Sequence, residues 1–432
     1  MTKENKAIDE SRIYYGWFIV MVTFLSSMIS AGLTGYGLAF FIIPMSRALN
    51  VSRAAFSAVT LFRLAALPLI PFLGILVDKR HGARFLMTLG SIAAGITLIF
   101  TSGVTSIWQF YLLYGVIFGL ATTAIGGMVI EPALIAKWFV RYRGRAMAVG
   151  TMGISAGGVI IAPWAGWLVG NTGWRLAWVG LGLTIFLFLT LPAFMVIRRS
   201  PEDIGLYPDN IPPKTTLEEN RTGPDGGRGD VEREYSWTVG EAGRTGAFWL
   251  LLGVNTFGLV GLMPVIIHQV AYVQDKGFDM VISTSVATVV AVFAMIAKIP
   301  WGYWTETKNL KLLISLCCLT SGISLFILIL AKNTPVLFLY AAFHGLTMGG
   351  FPTLMNVVWA NFFGRGNAGA IRGAITPPVT FMGFLSPAVA GWMWDRSGSY
   401  DMAFVVFALS WIMAGLMMVM IKPPNVPYEF RV

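Results

Sequence analysis

Runs of twenty or more mostly apolar residues recur along almost the whole chain, separated by short polar breaks. A helix needs about 20 apolar residues to cross a bilayer. Lipid offers no partner to an unpaired backbone group, so each run is expected to be a helix. Twelve are read, at about 14–44, 54–77, 84–104, 108–139, 146–170, 174–197, 246–273, 281–304, 310–331, 335–362, 370–394 and 400–421. The first is close to thirty residues, too long for the apolar part of a cleaved leader, and is expected to be a retained span. Charged residues make up only 12 % of the 432 positions, against roughly 25 % in a soluble domain. That excludes a soluble enzyme, a disordered chain and a disulfide scaffold. The two cysteines, Cys317 and Cys318, are adjacent and offer neither a ready bridge nor zinc spacing. The expected fold class is an all-α membrane protein.

The net charge of +10 could indicate a nucleic-acid partner, but the bases collect in alternate loops. With both termini and the even-numbered loops on one side, that side holds 23 lysines and arginines, Arg372 counted among them, and the other side holds 6. Loops rich in Lys and Arg stay cytoplasmic. Both termini are therefore expected in the cytoplasm of a cell membrane, a bacterial inner membrane above all, and the basic balance implies a lipid bilayer and no nucleic acid. Residues 198–245 are rich in Pro, Gly and charge, as in Gly223-Pro224-Asp225-Gly226-Gly227. They read as a cytoplasmic linker, flexible by composition, between six-helix bundles at 1–197 and 246–432.

The two bundles repeat each other. Pro163-Trp164-Ala165-Gly166-Trp167, then Gly173-Trp174, recurs as Pro387-Ala388-Val389-Ala390-Gly391-Trp392, then Gly398-Ser399-Tyr400. Trp138-Phe139 with Arg143-Gly144 recurs as Phe362-Phe363 with Arg365-Gly366, and Gly74-x-x-x-Asp78-Lys79 as Gly302-x-x-x-Glu306-x-Lys308. A duplicated six-span unit puts its binding site between the halves, near the midplane, and works by rocking one half against the other.

The stretch Gly74-Ile75-Leu76-Val77-Asp78-Lys79-Arg80-His81-Gly82-Ala83-Arg84 resembles the loop motif of the major facilitator superfamily, with one extra residue between Asp78 and Gly82. The resemblance implies twelve helices in two pseudo-symmetric bundles. It implies gating roles for Asp78, Lys79, Arg84, Arg145 and Glu306. An acid there would sit at a neighbouring helix N-terminus and pair with an arginine, Arg145 being the expected partner of Asp78. Tyr15-Gly16-Trp17, Trp138-Phe139 with Arg143-Gly144, His268-Gln269-Val270-Ala271-Tyr272 and Phe362-Phe363-Gly364-Arg365 resemble the monocarboxylate porter and oxalate–formate antiporter group. That group carries a base in span eight, four positions before a Gly, that binds the substrate carboxylate. Here the position holds Lys298, before Gly302, a point charge where the group's usual Arg is a fork. Ala294 stands where an animal-type porter often has an Asp. The superfamily's cavity is usually lined by spans one, seven and ten, which brings Tyr36, Asn255 and Asn356 forward as substrate contacts.

Three charged residues lie well inside spans: Arg63, Glu131 and Lys298. Placing a charge there costs on the order of 3 kcal/mol unless it is paired or faces water, so each marks either a pathway or a structural pair. Lys298 and Arg63 are read as substrate-binding bases. Glu131, followed by Pro132, is the acid available to carry a proton, or else pairs with a loop arginine. His268 and His344 are further proton-handling candidates, because an imidazole titrates near neutrality. Two bases against one acid favour a small organic anion. The expected function is proton-coupled symport of a monocarboxylate, with carboxylate exchange or a non-transporting sensor of the same fold as alternatives. No phosphate-binding loop, metal-ligand cluster or nucleophile motif is present. The chain is therefore expected to be no enzyme, to need no cofactor, to use protons and a small anion as partners, and to act as a monomer.

Overall fold

The computed structural model describes residues 13–51, 55–56, 58–126, 129–212 and 235–424. Among these, ten helical runs are long and apolar enough to cross a membrane. In order they include α1 (Gly16–Gly35), α2 (Val59–Val77), α3 (Gly82–Thr101) and α4 (Ile107–Trp138). The 54-residue run Arg143–Val196 is two crossings. Gly173 divides it with a left-handed φ of 79° and ψ of 163°, which leaves α5 (143–172) and α6 (174–196). The second half holds α7 (Gly246–Asp275), α8 (Met280–Thr307) and α9 (Leu310–Leu330). In α10, Thr334–Met348 and Phe351–Phe363 follow one another across Gly349-Gly350. The last two are α11 (Ala368–Ser397) and α12 (Asp401–Met420). Twelve crossings result, in two sets of six.

Local chemistry sets where these helices start and bend. Asp279, Asn309 and Asn333 accept backbone N–H groups at the starts of α8, α9 and α10, satisfying donors that a helix end leaves open. In α2, Pro68 has no N–H to give, and Arg63–Leu69 tightens into a 3-10 turn. Two spans expected to be unbroken are broken at glycine. Gly126 is extended (φ −163°, ψ −159°), and α4 resumes at Ile130. At Gly350 a side chain would come within 2.4 Å of the Trp301 ring, so the absence of a Cβ is what lets α10 lie against α8.

Each half has its own apolar core. One gathers Ile19, Phe41, Phe110, Tyr114, Trp138 and Trp178; the other gathers Tyr272, Cys317, Tyr340, Phe363, Phe404 and Trp411. Large apolar side chains also stand exposed on the outside, among them Phe72 at 68 %, Leu312 at 67 % and Leu330 at 73 %. In water such a surface would be an interaction patch; here it is what a bilayer covers.

Close contact between the halves is made through small residues, which let backbones approach. A Cβ on Gly74 would lie 2.3 Å from the Gly369 carbonyl, and one on Gly144 would lie 2.1 Å from the Gly302 carbonyl. These contacts join α2 to α11 and α5 to α8 at the end that carries the segment linking the halves, hereafter the linker end.

Candidate functional site

Lys298 lies on α8 at the seam between the halves and is only 5 % exposed. Its Nζ donates to the Thr151 carbonyl and to Ser155 Oγ on α5, each at 3.0 Å. The Thr151 hydroxyl in turn meets that of Thr353 on α10 at 3.0 Å. Among the described residues, the buried ammonium therefore has neutral partners and no carboxylate. An ion placed in low dielectric without a counter-charge is costly, and the seam is where an incoming anion would relieve that cost.

The other expected site residues divide between the seam and the separate halves. Arg63 sits between α1, α2 and α4. Its Nη1 donates to the Thr34 carbonyl at 3.3 Å, its Nε is buried with no acceptor among the described residues, and Gly119 leaves the space its side chain fills. Glu131 is buried in the first turn after the α4 break, and its Oε2 accepts the Ser27 hydroxyl of α1. Its carboxylate thus stands at a helix N-terminus, where the peptide dipoles favour negative charge. Asn255 is half-buried on α7. Asn356 on α10 lines a small pocket together with Pro132 of α4 and Arg372 of α11. Tyr36 ends the π-helical turn Gly32–Tyr36; its side chain lies outside the described residues.

The two histidines sit in the packing of the second half rather than on the seam. His268 Nε2 bonds the Pro387 carbonyl at 3.0 Å and its Nδ1 the Tyr400 hydroxyl at 3.2 Å. A carbonyl can only accept, so Nε2 carries the proton and Nδ1 receives the Tyr400 O–H. The ring ties α7, α11 and α12 together. His344 is fully buried between α9 and α10, with Nδ1 2.6 Å from Ser324 Oγ and its ring stacked on Tyr340.

At the linker end two acids act in matching ways. Asp78, ending α2, accepts the backbone N–H groups of Gly369 and Ala370 at the start of α11, at 3.2 and 2.8 Å. Glu306 on α8 accepts the Arg145 N–H at the start of α5 at 3.0 Å. Each closes the N-terminus of a helix in the opposite half. The expected Asp78–Arg145 pair does not form. Arg145 Nε binds Glu306 at 2.8 Å instead, because Arg145 lies on the turn that Glu306 caps. Asp78 pairs with the buried Lys137 at 2.5 Å. Of the remaining gating candidates, Lys79 is exposed, and Arg84 turns within its own half to the Phe194 carbonyl and ring. Neither reaches across the seam.

The composition of 198–245 predicts a flexible linker, but its described ends are docked. Asp209 (φ 55°) offers its carboxylate to the N–H groups of Val140, Arg141 and Tyr142, the nearest at 2.6 Å. Trp237 N–H donates to the Phe363 carbonyl, and Gly366 N–H to Ser236 Oγ. The loops after α4 and α10 have backbone groups that no helix pairs, and the linker ends satisfy them. Glu202 binds Arg365 of the opposite half at 2.7 Å. Burial raises the Glu202 carboxyl, but hydrogen bonds from its own backbone, Arg365 and Ser200, with the Arg365 charge, outweigh it and hold it below the usual carboxylate range. Residues 213–234 lie outside the described residues.

Arg372 was counted among the loop bases and is in fact buried in α11, 6 % exposed, with Nη2 donating to the Met355 and Asn356 carbonyls at 3.2 and 2.9 Å. The signal was available, since position 372 falls inside the 370–394 apolar run. Removing it leaves the loop tally at 22 against 6.

A family model of the Major Facilitator Superfamily matches residues 17–295 and 248–430. The chain belongs to that superfamily. Rat monocarboxylate transporter 12 is 24 % identical over 94 % of this chain and 85 % of its own length. Human monocarboxylate transporter 2 is 26 % identical over 80 % and 73 %. Among solved structures, the proton:xylose symporter XylE superposes with a TM-score of 0.70 at 16 % identity, covering 94 % of this chain and 95 % of that one. The human organic anion transporter MFSD10 gives 0.67 at 13 %, covering 93 % and 99 %. The fold is thus the major facilitator fold, the chain is a multi-pass membrane transporter and no enzyme, and the repeat read from Gly74–Asp78 and Gly302–Glu306 is the superfamily's internal duplication seen as matched helix caps.

Proposed function

We propose that this chain is a secondary transporter of a small monocarboxylate, moved together with a proton by alternating access. The observation that carries the reading is the Lys298 ammonium, buried on the seam and, among the described residues, held by neutral partners alone. Arg63 and Arg372 add two further bases whose described partners are backbone carbonyls. Glu131 is the acid in the same membrane-embedded set, and the excess of positive charge fits an anionic cargo. The names of the curated relatives support the same class. Bundles 1–197 and 246–432 rock about the seam, with 198–245 joining them. The 22-to-6 distribution of bases puts the linker end in the cytoplasm, so the arrangement described is shut toward the inside.

The test is uptake into proteoliposomes of labelled small carboxylates under an imposed proton gradient, read alongside binding to purified protein. Lys298→Ala should remove the binding that Lys298 supplies at the seam while the protein stays folded, and Lys298→Arg should keep part of it, since charge survives and geometry changes. Unchanged affinity in the Ala variant removes Lys298 from the site. Counterflow that ignores the gradient makes the chain an exchanger, and ligand binding without flux makes it a sensor.

A further inference from the structure

A pocket on the linker side of Lys298 has the chemistry of a second anion site. Pro132 and Ala136 of α4 form one wall, Asn356 and Trp359 of α10 another, and Ile371 and Arg372 of α11 the third. It therefore lies between the halves. Arg372 spends one nitrogen on two carbonyls. A guanidinium has five N–H groups, and the hydrogen bonds this one makes among the described residues both run through Nη2. Among the described residues no carboxylate pairs with it. The indole N–H of Trp359 is also buried, 2 % exposed, and has no acceptor among the described residues. Phe248 and Phe363 hold that ring in place, edge-on and stacked. A buried cation paired with carbonyls alone and a buried indole N–H without an acceptor, among the described residues, thus line one small space.

The pocket continues a polar track. Lys298 binds Thr151, and Thr151 meets Thr353. Asn356 follows Thr353 by three residues on α10, about 4.5 Å along the same face. The pocket is therefore the next polar stop beyond Lys298 toward the linker end.

We propose that Arg372, Trp359 and Asn356 form a second carboxylate site, which takes the anion on its way between Lys298 and the linker side. The guanidinium fork receives both carboxylate oxygens, and the indole N–H donates to one of them. With the linker end closed the space is little more than water-sized, so it fills with substrate as the halves part there. The proposal rests on the carboxylate reading above.

Equilibrium binding of radiolabelled acetate, pyruvate, oxalate and benzoate to the purified, detergent-solubilised full chain tests it. Wild type should bind two molecules of the accepted acid per chain. Lys298→Ala should leave one, and adding Trp359→Phe, which keeps the ring and deletes the donor, should weaken that remaining site about tenfold. Arg372→Gln should reduce wild type from two to one, with Arg372→Lys restoring part. One molecule per chain, lost in Lys298→Ala and untouched by Arg372→Gln and Trp359→Phe, overturns the second site and leaves the transport reading standing. Failure of all four acids to bind overturns both.

Discussion

At the scale of single residues, Glu131 faces two demands. Its carboxylate sits at the start of a half-helix, opened by Gly126 and followed by Pro132, and takes the Ser27 hydroxyl from α1. A side chain at position 126 would come within 2.5 Å of the Glu131 carboxylate, so the helix break and the acid are parts of one local arrangement. Such a group can gain or lose a proton if α1 and α4 shift against each other within their half and change the Ser27 contact. In a symporter, proton and substrate must favour each other, because linkage is reciprocal. Glu131→Gln, which imitates the protonated acid, is expected to keep substrate binding and substrate exchange and to lose accumulation driven by a pH difference. Accumulation that persists in Glu131→Gln proteoliposomes takes the coupling role away from Glu131. His268 is the weaker candidate on this geometry, since both ring nitrogens are engaged within one half.

At the scale of elements, the closed linker end rests on two helix pairs of matching construction. In each, glycines bring the helices together and an acid caps the opposite helix: Gly74 and Asp78 of α2 on α11, Gly302 and Glu306 of α8 on α5. The space at Gly144 is tightest, with Thr305 Oγ1 1.9 Å and the Gly302 carbonyl 2.1 Å from an added Cβ. Gly144→Ala must push α5 from α8 and raise the population open at that end. With Cys317 and Cys318 replaced by serine and a reporter cysteine at Ala360, which is 5 % exposed, the variant should react with a small maleimide about tenfold faster, the result of a shift worth 1–2 kcal/mol. An unchanged rate shows that this contact does not hold the gate. The Glu202–Arg365 tie takes no part in coupling near neutrality. Its carboxyl is held low, so the stabilisation is complete above the ordinary carboxylate pKa of about 4.3 and fades only as pH falls below that value.

At the scale of the whole molecule, direction depends on which side the linker end faces. The distribution of 22 bases against 6 is the physical ground for a cytoplasmic linker. A single cysteine at Gly226, again without Cys317 and Cys318, should be labelled by an impermeant maleimide in inside-out vesicles and protected in intact cells. The reverse pattern inverts the orientation and makes the described arrangement one that is shut toward the outside. Alternating access then needs the glycine-lined contacts at the linker end to break together, because α2–α11 and α5–α8 join the same two bodies.

The count of spans, the duplicated halves and the acids at 78 and 306 were legible in the sequence, because burial in lipid demands long apolar helices and a duplicated unit repeats its turns. Lys298 could be singled out for a like reason, since a charge in the middle of an apolar run has few bland explanations. Helix breaks at Gly126 and Gly349-Gly350 were not legible; glycine in an apolar run serves close packing as readily as it serves a break. The partners of each charge were decided by the fold alone. Arg145 goes to Glu306, Asp78 to Lys137, and Arg372 turns inward beside Trp359, because which ends of which helices meet is fixed by packing between different helices and not by the segment that carries the charge. Hydropathy along the chain reports only how each segment meets lipid, and it carries no record of that meeting.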